Sequence, residues 1–217
     1  MYKMRRILSI IYKVYKNFKF TLFEKLRREL FPPKLPKNKD GKVYIHLGCG
    51  EINVNGFINL DIRPYSHVHY ISPVEDLNIF PNEYADLIYA SHVIEHISHN
   101  DVQKVLREWF RVLKKGGILR ISVPDFDKVI NIYLAEGRNI MSIVGPLMGG
   151  QNHIYNFHKA VFNEGYLREI LLLAGFQEVR VWKPEEVEIY SFEDWANRPI
   201  KVGQKKYTIS LNIEAVK

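Results

Sequence analysis

One cysteine, Cys49, is all the 217-residue chain contains, so an internal disulfide is excluded and a reducing, cytoplasmic setting is expected. No run of about twenty apolar residues occurs, which excludes an obvious membrane-spanning helix. The apolar run near the start, Ile7-Leu-Ser-Ile-Ile11, is too short for a secretion signal and lacks a small-residue cleavage site. Internal repeats are missing, so a solenoid is not expected. What remains is ordinary globular material, 47% hydrophobic and 25% charged, enough for one well-cored α/β domain with an appendage.

Charge is unevenly placed. Residues 1–40 hold twelve Lys or Arg against Glu24, Glu29 and Asp40, a surplus of nine; with +7 for the whole chain, the other 177 residues carry −2. A basic surface spread around a site would suggest nucleic acid, but this charge is confined to an arm, and no nucleic-acid partner is expected. Ile7, Ile11, Val14, Phe18, Leu22 and Leu26 recur at helical spacing, with most basic residues on other faces. That pattern is a basic amphipathic helix, which can pack on the domain, pair with a partner, or lie on the inner face of an anionic membrane through residues 1–30. Phe31-Pro-Pro-Lys-Leu-Pro36 stops the helix and forms a stiff linker. Two units follow: an arm with its linker, 1–40, and a domain, 41–217.

Within the domain the pattern predicts strands at 43–47, 57–61, 68–71, 86–90, 117–123, 176–183 and 207–215, and helices at 100–114 and 163–174. Asn100 or Asp101 caps the first helix and Asn163 opens the second. Strands alternating with helices and closing on a strand pair predict a doubly wound, mainly parallel sheet, Rossmann-like, of seven strands. Only Glu51-Ile-Asn-Val-Asn55 lie between Gly50 and Gly56, too few for a full crossover helix, so the first helix is expected to shrink to about one turn.

Two apolar runs end in chemistry. Val43-Tyr-Ile-His-Leu-Gly-Cys-Gly50 closes on a glycine pair, and Phe57-Ile-Asn-Leu-Asp61 closes on a carboxylate. Glycines let backbone approach a ligand at a strand's carboxyl end, and one acid there can accept both hydroxyls of a ribose. Cys49 inside the turn is read as structural. With Tyr84-Ala-Asp-Leu-Ile-Tyr-Ala-Ser-His-Val-Ile-Glu-His96 and Val112-Leu-Lys-Lys-Gly-Gly-Ile-Leu-Arg-Ile-Ser-Val-Pro124 these segments resemble, from about Lys42 to Lys217, the class I S-adenosylmethionine-dependent methyltransferases, in particular the branch associated with polysaccharide biosynthesis.

The resemblance implies S-adenosyl-L-methionine as cofactor. Gly48, Cys49 and Gly50 would shape the loop under its methionine part, Asp61 would bind the ribose, and Glu75 or Asp76 would flank the adenine. Ser91 and His92 would close the site at the fourth strand's end. Two residues depart from the family pattern: His46 stands where an acid is usual, and Ile52 replaces a third glycine. Methyl transfer needs positioning and, for a hydroxyl acceptor, a base. His92, Asp125, His153 and His158 are the candidate catalytic residues. His92 and His96 are spaced for one helix face with Glu95 between them, but no third ligand lies near in sequence and no metal is expected.

The expected function is O-methylation of a saccharide or glycan precursor. Methylation of another small molecule is one alternative; a non-catalytic module of the same fold in a membrane-associated assembly is another. The sequence leaves oligomeric state and acceptor identity open.

Overall fold

The computed structural model describes residues 19–187 and 192–217. Most of the residues proposed for the arm's apolar stripe fall in 1–18 and lie outside the described residues. Residues 19–30 form the first helix, α1. It ends just before Phe31 and the prolines, as expected. Arg28 anchors it: the guanidinium is buried and donates to the carbonyls of Val68 and Tyr65, while Glu24 pairs with Arg27 at 2.9 Å and Arg28 at 3.4 Å. Leu22, Phe23, Leu26 and Leu30 remain exposed.

The domain contains β1 (Tyr44–Leu47), β2 (Phe57–Asp61), β3 (Tyr70–Ile71), β4 (Ala85–Ser91), α2 (Val102–Val112), β5 (Leu113–Pro124), α3 (Phe126–Ala135), α4 (Val144–Met148), α5 (Glu164–Ala174), β6 (Gln177–Val181), β7 (Ile200–Val202), β8 (Lys205–Tyr207) and β9 (Ser210–Val216). The sheet runs β3-β2-β1-β4-β5-β9-β6, with β7 and β8 as a separate hairpin. The first five strands in that order are parallel, whereas β9 runs antiparallel to both β5 and β6. This is the expected seven-stranded, mainly parallel sheet with an antiparallel closing pair.

Strand periodicity sorts the two faces. Ile45, Leu47, Ile58, Leu60, Ile88 and Ala90 join the main core with Val105, Leu106 and Trp109 of α2 and Leu167, Ile170 and Leu171 of α5. The alternate residues Phe57, Leu87 and Tyr89 meet Val54, Trp182 and Ala196 in a smaller cluster on the other face. Helix α2 buries Val102, Val105, Leu106, Trp109 and Val112, the spacing of one helical face. Trp109 also donates its indole N–H to the Val74 carbonyl at 2.8 Å, which fixes the chain near the cleft described below.

Four expectations need correction. The Gly48-to-Gly56 connection is a series of turns with no helical turn in it. Helix α2 stops at Val112, not at 114, because Leu113 already pairs with Ala85; residues 114–117 bulge outward before pairing resumes between Leu87 and Ile118. The last strand begins at Ser210 and not 207, since Tyr207 is taken by the hairpin. Helix α3 and the β7–β8 hairpin were not expected at all. Val129 and Ile132 of α3 and Ile200, Val202 and Tyr207 of the hairpin cluster locally with Ile143 and Ile209, forming a core separate from the sheet's.

Candidate functional site

A cleft of about 510 Å³ opens at the carboxyl ends of β1, β2 and β4. Ligand crevices form at this edge in open α/β sheets, and the size suits a small-molecule site. Gly48, Cys49, Gly50, Asp61, Glu75, Ser91, His92 and His153 all line it. Asp76, Asp125 and His158 are not among its lining residues.

The floor is shaped by glycine. Gly48 has φ +59°, and a Cβ there would stand 2.6 Å from Val93 Cγ2, so this position admits no side chain without displacement. Gly50 has φ +55° and donates its N–H to Asp61 Oδ2 at 2.8 Å. Asp61 Oδ1 accepts from the Arg63 N–H at 2.7 Å. The carboxylate is therefore held rigidly, with a further lone pair on each oxygen for hydroxyls in the cleft. Cys49 is buried, and burial pushes its thiol well above the ordinary range, so it is inert packing.

His46 and Ser91 add polar atoms under the cleft. His46 Nδ1 and Ser91 Oγ are buried and have no hydrogen-bond partner among the described residues. His46 lies among Phe57, Tyr89 and Phe192, and burial lowers its pKa to about 4. It is thus a neutral imidazole at the place where the family resemblance leads one to expect an acid. A buried acid does stand nearby: Asp194 accepts from Tyr89 Oη at 2.6 Å and from the Ala196 N–H at 2.7 Å, and it lines the cleft.

His92 has φ +53°, a strained backbone for a non-glycine residue. Its Nε2 lies 2.8 Å from Ser210 Oγ, and its Nδ1 lies 3.2 Å from Glu95 Oε1. Both nitrogens face fixed partners, so abstracting an acceptor proton would first break one of these contacts. His153 also has a neighbour at each nitrogen, but its contacts are longer. It reaches the cleft beside Arg63, whose Nη1 is 3.5 Å from Nε2, and its Nδ1 accepts from the Tyr155 N–H at 3.3 Å. Burial first, then Arg63 and His96, lower its pKa and keep it neutral.

Asp125 does not point to a substrate opening. It caps α3 by accepting from the Asp127 N–H at 3.1 Å, and burial raises its pKa against the pull of Lys128, 3.8 Å away. His158 turns its Nδ1 to the Pro146 carbonyl at 2.9 Å and stacks edge-on to His96. Asp76 accepts from the Asn78 N–H at 3.1 Å, a local turn, while Glu75 and Val74 face the cleft.

Sequence reasoning missed Arg63, Lys159, Asp194, Trp195 and Arg198, which all line the cleft. Arg63 was legible as a cation two residues after a strand-ending acid. The others come from non-periodic segments, and the one signal was an aromatic between charges in Asp194-Trp-Ala-Asn-Arg198.

With this geometry in view, comparison with known proteins is informative. Residues 59–121 match the family described as Methyltransferase domain. Over that segment the chain is similar to the class I S-adenosylmethionine-dependent methyltransferases. A ubiquinone/menaquinone biosynthesis C-methyltransferase UbiE of Vibrio vulnificus is 32% identical over 121 residues, 52% of this chain and 45% of that protein. The Vibrio campbellii protein of the same description is 28% identical, covering 64% of this chain and 52% of its own length. The chain thus spans about half the length of the curated relatives it matches. Among solved structures, a methyltransferase dependent on S-adenosylmethionine from Archaeoglobus fulgidus superposes with a TM-score of 0.51 at 17% identity, covering 90% of this chain and 93% of that one.

S-adenosylmethionine is therefore the cofactor, and the residues present fit it. A glycine floor that a Cβ would fill, a rigid carboxylate at the end of β2, and two buried polar atoms without partners among the described residues match a nucleoside with an amino-acid tail. No helix among the described residues is long and apolar enough to cross a membrane.

Proposed function

We propose that this methyltransferase domain transfers a methyl group to a hydroxyl of a polyhydroxylated acceptor, a saccharide or glycan precursor. The observation that carries the reading is the composition of the cleft's outer wall. His153, Tyr155, Asn156, Lys159, Trp195 and Arg198 surround its mouth, joining ring faces to amide and cationic donors. Half-exposed aromatic rings, here Tyr155 and Trp195, suit sugar faces, and the polar groups suit hydroxyls.

The bound cofactor supplies an electrophilic methyl on sulfur. The protein's share is to orient the acceptor oxygen and accept its proton. In this reading Asp61 and Glu75 hold the nucleoside end, the Gly48–Gly50 floor holds the amino-acid end, and neutral His153 is the base. The depressed pKa of His153 keeps its lone pair available at neutral pH. Holding the two reactants in line accounts for the rest of the acceleration.

A second reading has one observation in its favour. Ile140, Met141, Met148 and Ile154 are exposed around the outer loops, as are Phe23, Leu26 and Leu30 on α1. Such surface suits an acceptor with a lipid tail, presented at an anionic membrane that the basic arm would meet. C-methylation of a lipid-tailed ring, the activity named for the curated relatives, belongs to this reading.

The test is methyl transfer from labelled S-adenosylmethionine to two panels, sugar nucleotides with lipid-linked sugars, and prenylated quinols. Label in a sugar hydroxyl supports the proposal. Label on quinol ring carbon alone replaces it with the second reading.

A further inference from the structure

Beside the cleft, where β4 gives way to the Val93–Ile97 turn, lies a group of side chains that methyl transfer does not use. Glu95 is 1% exposed, and apart from the contact of Oε1 with His92 neither carboxylate oxygen has a hydrogen-bond partner among the described residues. Such a group is costly to bury without a compensating partner. Its neighbours are histidines: His92 Nδ1 at 3.2 Å from Oε1, with His96 and His158 also close by. One potential ligand atom from each of Glu95, His96 and His158 lies within 4.8 Å of the other two.

The two imidazoles are preset. His96 Nδ1 is 3.1 Å from the Phe157 carbonyl, and His158 Nδ1 is 2.9 Å from the Pro146 carbonyl. A carbonyl only accepts, so each ring carries its proton on Nδ1 and keeps a lone pair on Nε2. A backbone carbonyl on the far ring nitrogen is the arrangement that orients histidine ligands in metal sites. The chain is also fastened here, because the Glu95 carbonyl accepts the N–H groups of Lys159 at 2.7 Å and Ala160 at 3.2 Å. Two segments some sixty residues apart are thereby held together at one point.

We propose that Glu95, His96 and His158 bind a divalent transition-metal ion at the edge of the cleft. Two imidazoles and one carboxylate form the open three-ligand set that zinc takes in catalytic sites, and the set suits manganese as well. Magnesium, which prefers oxygen ligands, fits less well. Small side-chain rotations, on the order of an ångström, bring the three donors to ~2.0–2.2 Å from a common centre. His92 Nδ1, 3.2 Å from Oε1, stands beside Glu95 as its outer neighbour. His96 lines the cleft, so a remaining coordination position faces it. On the methyl-transfer reading above, an acceptor oxygen would occupy that position, but metal binding itself does not rest on that reading.

Tag-free full-length protein, stripped with chelator, is titrated with Zn2+ and separately with Mn2+ by calorimetry, with electron paramagnetic resonance for Mn2+. One ion per chain with micromolar or tighter affinity is expected. His158→Ala and, independently, the partly exposed His96→Asn should each weaken binding at least tenfold, while His99→Ala, outside the cluster, leaves it unchanged. S-adenosylmethionine affinity measured on the same samples reports folding, and at least one of the two ligand variants must retain it to be scored. Absence of stoichiometric binding to the full chain, or equal affinity in the folded ligand variants, overturns the proposal. Neither result depends on methyl transfer, so failure of the acceptor reading leaves this outcome separate.

Discussion

Gly48, Gly50, Asp61 and Ser91 stand at the ends of three adjacent parallel strands, whereas His153, Tyr155, Lys159, Trp195 and Arg198 come from two stretches with no strand partner. The donor half of the cleft inherits its geometry from the sheet. Register fixes Leu47 against Leu60 and Ala90, so the residues that follow each strand meet at one edge. The outer half is placed by individual bonds, such as those from Tyr89 to Asp194 and from Asn212 Nδ2 to the Ala196 carbonyl at 3.0 Å. A sheet-built site should lose affinity when a residue is removed, and a loop-built one should lose turnover first.

The largest expected effect tests the outer half. His153→Ala should lower kcat by ~10²–10⁴, the usual worth of a general base, while S-adenosylmethionine affinity stays within about twofold. Because burial and Arg63 depress this imidazole's pKa, the acid limb of the kcat profile should lie below the ordinary histidine range. Unaltered turnover would mean that positioning alone drives transfer. Equal losses in kcat and donor affinity would erase the contrast between the halves.

Asp61→Ala probes the donor half and should raise the donor dissociation constant by ~10–100-fold, the worth of hydrogen bonds to a charged group. Calorimetry on the folded variant decides it. An unchanged constant would remove Asp61 from the ribose position and leave it a brace for the Gly50 and Arg63 amides.

The same contrast explains what could be read in advance. Strands β1, β2 and β4 are short apolar runs bounded by glycine, proline or a charge, so their ends, and hence Gly48, Gly50, Asp61 and Ser91, were legible from local pattern. Asp125 was misplaced because a cap and a site acid look alike in sequence; the N–H of Asp127 decides between them. The grouping of Glu95 with His158 was invisible, since no pattern joins residues sixty apart until the Lys159 and Ala160 amides are seen on the Glu95 carbonyl. Helix α3 escaped notice because its apolar residues serve a small local core, not the sheet.

The arm offers a smaller test. Arg28→Ala removes two bonds from a buried guanidinium to the Tyr65 and Val68 carbonyls and should cost about 2 kcal/mol of stability, measured by urea unfolding. Donor affinity should not change, because Arg28 does not line the cleft. If stability is untouched, α1 is not a fixed part of the domain. Sedimentation with anionic vesicles then asks whether its exposed Phe23, Leu26 and Leu30 face a membrane: salt-sensitive binding supports that, and its absence removes the idea.

The smallest effect concerns the donor half's floor and is visible only in acid. His46 is neutral in the folded protein because burial lowers its pKa from 6.5 to about 4. Between those values the unfolded chain binds a proton that the folded chain refuses, so acid favours unfolding; the loss begins as pH falls below about 6.5 and is complete below about 4. From pH 7 to pH 5 the cost is about 2 kcal/mol, at ~1.4 kcal/mol per unit. His46→Phe keeps an aromatic ring among Phe57, Tyr89 and Phe192 and has no proton to gain. Its stability should therefore fall by about 2 kcal/mol less than that of the unmodified protein over the same interval, with other titrating groups cancelling in the difference. Parallel acid limbs for the two proteins would show that the imidazole under the cleft is reached by water and protonates in place. The donor half would then share the openness of the outer half at its deepest point, and the contrast between a sheet-built floor and a loop-built wall would fail where it should be strongest.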